Sequence, residues 1–131
     1  VFEGKIATSN MLKGKRPEPD YIGVPSVVFT IPELARVGML EEEARETGDV
    51  EVSFTDTSGW FSQKRLGETH AGAKIISNSE GKILGAHMFG PDYAELINIF
   101  SLAIKLGLTV DQIKTMPAAY PTGASDIGSM L

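Results

Sequence analysis

Residues 71–107 read AGAKIISNSEGKILGAHMFGPDYAELINIFSLAIKLG and contain the clearest structural signals in the chain. Two strand-like runs, at 71–77 and 82–89, flank a short polar turn that ends in Gly81. Apolar runs of this length around a glycine-containing turn are typical of a β-hairpin. The first half of the stretch therefore predicts two antiparallel strands.

The second half of the stretch predicts a long helix over 92–106. Asp92 and Glu95 have the spacing of a capping box at its start. Its main apolar face consists of Tyr93, Leu96, Ile97, Phe100, Ala103 and Ile104. Other apolar residues extend around the side of the helix, and a helix that is apolar over so wide an arc is buried on more than one side. We therefore expect another chain to supply the second cover.

Weaker patterns on either side complete the predicted order of elements. That order is a helix at 1–13, a polar linker at 15–20, a strand at 24–30, a connecting turn at 31–38, a helix at 40–47, a strand at 50–55 and, after the long helix, a short helix at 110–115. Strands followed by helices in this arrangement predict an α+β fold. We expect a two-layer domain with a mostly antiparallel sheet and helices on one face.

The composition is that of one globular domain. The chain has 131 residues, of which 42% are hydrophobic, and a net charge of −5. An acidic chain without a cluster of Lys and Arg is a poor match for nucleic acid. Its apolar runs fall well short of the roughly 20 residues that a membrane span needs. We therefore expect neither nucleic acid nor a membrane among its partners.

The chain contains no cysteine. This excludes disulfide bonds, thiol catalysis and thiolate metal ligands within it, and it fits a cytoplasmic protein. His70 and His87 lack a second His, Asp or Glu at ligand spacing in the sequence, so no metal site is predicted.

Several short motifs carry a family resemblance through their order and spacing. They are Val24-Pro25, Pro32-Glu33-Leu34, Val37-Gly38, Ala71-Gly72-Ala73-Lys74, Ile83-Leu84-Gly85-Ala86, Gly90-Pro91, Glu95-Leu96-Ile97 and Tyr120-Pro121-Thr122. Together they resemble the C-terminal dimerisation domain of the FAD-dependent pyridine nucleotide–disulfide oxidoreductases, such as glutathione reductase, dihydrolipoamide dehydrogenase and mercuric reductase. Glu3-Gly4, Ala7 and Asn10 are similar to the helix that leaves the family's flavin domain. The resemblance implies that 1–14 is the end of that helix and 15–131 is the dimerisation domain.

The resemblance implies a full-length homodimeric enzyme with FAD, which moves electrons from NADH or NADPH through the flavin and a cysteine pair to a substrate. The chain itself has neither a cysteine pair nor a Gly-x-Gly-x-x-Gly motif. We therefore expect the fragment alone to bind no cofactor and to be inactive. Its implied partners are a second copy and the preceding FAD and NAD(P) domains of the same polypeptide.

The resemblance also implies the candidate site residues. The family's counterpart of Tyr120-Pro121-Thr122 reaches across the dimer to the partner's flavin and disulfide, so Tyr120 and Pro121 are the implied cofactor contacts. Tyr120 stands where the family has a His, and Asp126 follows six residues later, where the family has a Glu five residues on. Catalytic roles are thereby predicted for Tyr120 and Asp126. We also predict a cis Tyr120–Pro121 bond.

A phenol with an ordinary pKa of about 10 is a poor base at neutral pH. Either the substrate needs no imidazole base, or Tyr120 acts as a hydrogen-bond donor. Simpler roles also stay open, in which Tyr120 packs at the dimer edge and Asp126 caps a helix. At the level of the whole chain, the alternatives are a free-standing small-ligand or protein-binding module without redox activity, and a small independent enzyme that uses Tyr120 and Asp126.

Overall fold

The computed structural model describes residues 2–14 and 17–131, so residues 15 and 16 of the predicted linker lie outside the described part. The strands are β1 Ser26–Val28, β2 Leu34–Gly38, β3 Val50–Asp56, β4 Gly72–Asn78 and β5 Ile83–Phe89. The helices are α1 Phe2–Lys13, α2 Glu41–Glu46, α3 Phe61–Lys64, α4 Tyr93–Leu106, α5 Val110–Lys114 and α6 Gly123–Asp126, and a 3₁₀ turn follows at Ile127–Ser129. Within the described ranges, no helix is long and apolar enough to cross a membrane.

The five strands form one antiparallel sheet in the order β1-β2-β5-β4-β3. The predicted hairpin is confirmed, because β4 pairs with β5 and Ile75 lies opposite Ala86. The prediction of a connecting turn at 31–38 is wrong, since 34–38 form β2 between β1 and β5. Only Ala35 and Val37 of this strand are buried. Two alternating apolar residues beside proline and glycine are too few to distinguish a strand from a turn.

The main core lies between the sheet and α4. Ala35, Ala73, Ile75, Ala86 and Met88 point from the sheet to one face, which we call the inner face. From α4, Leu96, Ile97, Phe100 and Ala103 pack against them. The antiparallel sheet is one layer and α4 is the other, as in a two-layer α+β domain. The predicted fold class is therefore confirmed.

The short helix α2 lies on the opposite, outer face of the sheet. Lys74 and His87 alternate with inner-face residues, so their side chains leave the outer face. Lys74 Nζ lies 3.1 Å from Glu41 Oε2 of α2, and the His87 ring nitrogen Nε2 lies 3.0 Å from the carbonyl oxygen of Met39. Ala44 of α2 is fully buried. One end of the outer face is thus covered, which refines the expectation that the helices share one face.

The start of α4 differs from its sequence prediction. Asp92 has a left-handed φ of 63°, and within the described residues its side chain caps nothing. The backbone N–H of Ala94 instead donates to Glu33 Oε2 at 2.8 Å. A carboxylate at a helix N-terminus satisfies a free N–H and interacts favourably with the helix dipole. The cap of α4 therefore comes from the segment before β2 rather than from the helix's own first turn.

Candidate functional site

The segment that contains Tyr120 is a tight turn built by Thr122. The Thr122 hydroxyl donates to the carbonyl of Ala119 at 2.5 Å and accepts the backbone N–H of Ser125 at 3.4 Å, so it caps α6. The Tyr120–Pro121 bond is cis, as predicted. This turn holds Tyr120 outside the domain core, and 83% of the side chain is exposed.

Asp126 lies at the end of α6 and borders the same small cavity as Tyr120. Phe61 and Arg65 also border that cavity. Among the described residues, the Asp126 side chain does not cap the following 3₁₀ turn. The structure thus brings together the two residues for which catalytic roles are predicted, on one exposed edge of the domain.

A buried polar cluster supports this edge from below. The Tyr93 hydroxyl lies 2.6 Å from Thr57 Oγ1, and Gln63 Nε2 donates to it at 3.4 Å. Burial raises the pKa of Tyr93, the hydrogen bonds from Thr57 and Gln63 oppose the rise, and the charge of Asp126 adds to it. The cluster joins the end of β3, α3 and the start of α4. Tyr93 lies 36 residues from Thr57 and 30 from Gln63 in the chain, so no local sequence pattern indicates the cluster.

Two further oxygens lie buried next to this cluster. Ser62 Oγ and Gln63 Oε1 have no hydrogen-bond partner within the described residues. Ser62 also borders the cavity beside Tyr120. Unpaired buried oxygens are rare in proteins. Two polar groups directly below the edge are thus left unsatisfied by the described residues.

The C-terminal segment is seated on α4 at Gly123. A Cβ atom added there would lie 2.5 Å from Leu96 Cδ1, far inside van der Waals contact. Only glycine allows this approach with Leu96 unmoved, and Leu96 is 6% exposed. The close contact fixes the distance between α4 and the turn that carries Tyr120. Sequence reasoning missed this contact because nothing near Gly123 signals its distant neighbour.

This edge alone does not form an enclosed reaction site. Its cavity measures about 20 Å³, which is the space of one water molecule rather than of a flavin. Among residues 2–14 and 17–131, no cluster of three or more His, Asp or Glu is placed to hold a metal ion. What the edge presents is an exposed phenol, a half-buried carboxylate and a cis-proline turn. Such a set can contact and position a group that is held by another molecule.

Comparison with known proteins gives one family and several relatives. The family described as pyridine nucleotide-disulphide oxidoreductase, dimerisation domain, matches residues 24–131. Over 98% of its length the chain is 42% identical to an uncharacterised 19.7 kDa protein in a mercuric resistance operon of Staphylococcus aureus, and it covers 73% of that protein. Over 92% of its length it is 37% identical to the dihydrolipoyl dehydrogenase of Bacillus subtilis, of which it covers 26%.

Among solved structures, the HOCl-induced flavoprotein disulfide reductase RclA of Escherichia coli is similar in fold. The TM-score is 0.86 with 27% sequence identity, and the match covers 96% of this chain and 30% of that one. The chain thus spans between a quarter and a third of the length of these two larger relatives.

Proposed function

We propose, from the premise that this chain belongs to the dimerisation-domain family of the pyridine nucleotide-disulphide oxidoreductases, that it works within a FAD- and NAD(P)H-dependent disulfide oxidoreductase. In that enzyme it forms the homodimer and contributes one edge of the partner's flavin and disulfide site. The observation that carries the proposal is the family match over residues 24–131. FAD, when bound by the full enzyme, supplies the electron transfer from NAD(P)H to the disulfide.

In this proposal Tyr120 and Pro121 contact the partner's flavin, and Asp126 assists Tyr120. An exposed Tyr120 on a fixed turn supports this role, because a contact across a dimer needs a side chain that leaves its own domain. A phenol stays protonated at neutral pH, so the Tyr120 hydroxyl donates a hydrogen bond rather than removing a proton. The nearby Asp126 carboxylate acts as an acceptor that orients it.

We further propose that residues 1–14 are the end of a helix from the flavin domain and that 15–131 form the dimerisation domain. The support is that α1 has no buried residue among those described. Met11 and Leu12 are 86% and 79% exposed, which is unusual for two neighbouring apolar side chains. A cytoplasmic location is part of the proposal, since a cysteine-free chain needs no oxidising compartment.

One observation favours the alternative of a free-standing binding module without redox activity. The staphylococcal relative has a mass of only 19.7 kDa, and this chain covers 73% of it. Little of that protein remains for separate FAD and NAD(P) domains. In this alternative the domain binds a partner by itself.

Purifying the protein from its native cells distinguishes the two proposed functions. The oxidoreductase proposal predicts a complex with flavin absorbance and NAD(P)H-dependent disulfide reduction. A colourless species without that activity would favour the binding module. Sedimentation equilibrium of the 131-residue chain tests the homodimer directly, and a strictly monomeric species at tens of micromolar counts against it.

A further inference from the structure

A second, larger cavity lies on the inner face of the sheet. It measures about 800 Å³, which is within the range of roughly 300–1,000 Å³ that is typical of small-molecule sites. Its walls come from β3 and β4, the turn between β4 and β5, the start of α5, and Leu131. It shares no lining residue with the cavity beside Tyr120. We call this second cavity the β3 cleft.

The cleft forms where the inner face of the sheet changes from apolar to polar. Helix α4 packs mainly on β2 and β5, whereas β3 is the edge strand and contributes no fully buried side chain. Side chains alternate between the two faces of a strand, so Glu51 and Ser53 share the inner face with the core residue Ile75. The Ser53 hydroxyl donates to the Met130 carbonyl at 3.3 Å. The inner side of β3 is therefore lined by polar groups.

A buried hydroxyl lines the cleft without a hydrogen-bond partner. Ser77 is 5% exposed and lies opposite Glu51 in the pairing of β4 with β3. Within the described residues, its side chain makes no hydrogen bond. Buried polar side chains in proteins nearly always have a partner, and an unpaired one loses solvation energy. A ligand in the cleft would supply the partner that Ser77 lacks.

Carboxylates on separate elements line the cleft around this hydroxyl. Glu51 lies on β3, Asp49 lies just before that strand, and Asp111 lies on α5. None of these three carboxylates forms an ion pair within the described part of the chain. Lys114 is the one Lys or Arg among the residues that line the cleft. Negative charge therefore prevails, which favours a cationic ligand over an anionic one.

The lining of the cleft favours an organic cation over a metal ion. Among residues 2–14 and 17–131, no three His, Asp or Glu side chains are grouped closely enough to hold a metal. A further lining carboxylate, Glu80, is already paired with Lys82 at 2.8 Å. Ile75, Val110 and Leu131 also line the cleft and offer apolar contacts to methylene groups. Carboxylates on separate walls beside apolar side chains match ammonium groups that are joined by a methylene chain.

We infer that the β3 cleft binds a linear aliphatic diamine. One ammonium group donates to the Ser77 hydroxyl oxygen and to the Glu51 carboxylate, and the other pairs with Asp111. The methylene chain lies against Ile75 and Val110. Binding in this cleft is independent of the proposed redox function, because the Tyr120 edge is formed by other residues.

Titration of the 131-residue chain with cadaverine, followed by ¹H–¹⁵N NMR at low and constant ionic strength, tests the site. The amide signals of residues 49–53, 77–81 and 109–114 should shift and saturate at millimolar cadaverine. The matched ligand control is 1,5-pentanediol, which has the same chain length but carries no charge and should leave these signals in place. The inference is overturned if cadaverine gives no saturable shifts, if its shifts lie mainly outside these three segments, or if the diol reproduces them.

Three variants separate recognition in the cleft from general attraction to an acidic protein. Glu51→Gln removes a charge from the cleft and should raise the Kd for cadaverine by roughly threefold to tenfold. Glu42→Gln makes the same charge change on α2, on the opposite face of the sheet, and should leave the Kd unchanged. Ser77→Ala keeps every charge but removes the buried acceptor, so the Kd should rise at least roughly threefold. Equal weakening by the two glutamine variants, or an unchanged Kd in Ser77→Ala, contradicts the assignment.

Discussion

At the scale of single residues, the best-defined interaction near the candidate site is the bond between Thr57 and Tyr93. Thr57 is fully buried and Tyr93 is 1% exposed, so neither hydroxyl has water as a substitute partner. A buried hydroxyl without a partner loses much of its solvation energy. The bond joins the end of β3 to the start of α4. Removing only one of the two hydroxyls should therefore destabilise the protein.

Thr57→Val removes one partner of this bond with little change of shape. We expect the free energy of unfolding to fall by about 1–3 kcal/mol, measured by urea denaturation. Tyr93→Phe in the Thr57→Val background removes the orphaned hydroxyl, so the double variant should be less destabilised than the sum of the two single variants. Strictly additive effects would show that the two hydroxyls do not act as a pair.

Tyr120 and Asp126 can be predicted from the sequence, but the residues that hold them in place cannot. The former stand in a recognisable motif, whereas Thr57, Gln63 and Tyr93 become neighbours only after the sheet and α4 have assembled. The glycine at position 123 is a similar case. Its reason lies in the position of Leu96, 27 residues earlier in the chain.

At the scale of elements, local periodicity predicted the hairpin and α4 well because each contains its own signal. β2 was missed because its five residues carry only two buried side chains. The sequence predicts Asp92 as the cap of α4, whereas the acceptor for the Ala94 N–H is Glu33, 61 residues away. Long elements are thus visible in the sequence, while their contacts with distant segments are not.

The contact between Gly123 and Leu96 predicts that one substitution has opposite effects on stability in two backgrounds. Gly123→Ala should destabilise the protein by about 1–2 kcal/mol, because the new methyl group collides with the buried Leu96 side chain. In the Leu96→Ala background the collision is absent. There the same substitution should stabilise by up to about 1 kcal/mol, since alanine restricts the unfolded chain and favours the first turn of α6.

Urea denaturation of the four proteins in this cycle measures both effects. The free energy change for Gly123→Ala is compared between the wild-type and Leu96→Ala backgrounds. An equal loss in both backgrounds would mean that Leu96 is not the obstacle and that the contact does not position the Tyr120 turn.

At the scale of the whole molecule, the apolar residues fall into two groups. One group is buried in a closed core, and the other is exposed on the surface. The inner core is closed by α4 and the C-terminal segment, whose Ile127 and Met130 are each 1% exposed. On the outer face of the sheet, Phe54 is 73% exposed, and on α1 Met11 and Leu12 are 86% and 79% exposed. Composition and periodicity predicted the closed core, but the sequence pattern of β3 did not indicate which face of the sheet its apolar residues occupy.

The contact between α2 and the sheet makes the stability of the molecule dependent on pH. Burial lowers the pKa of His87 below its ordinary 6.5, the bond to the Met39 carbonyl opposes this, and the positive charges of Lys74 and Arg36 reinforce it, while Glu43 opposes it. A histidine whose pKa is lower in the folded state binds its proton more readily when unfolded. Stability should therefore fall as the pH decreases through 6.5.

His87→Gln should remove this dependence, because an amide can still donate to the Met39 carbonyl but does not titrate. The measurement is the free energy of unfolding in urea between pH 7.5 and pH 5, at one protein concentration and constant ionic strength. A second loss belongs to Glu41, whose pKa is held below its ordinary 4.5 by Arg45 and by Lys74. This loss of stability occurs at a more acidic pH and should persist in His87→Gln. An unchanged slope between pH 7 and pH 5.5 in His87→Gln would show that the loss comes from another group.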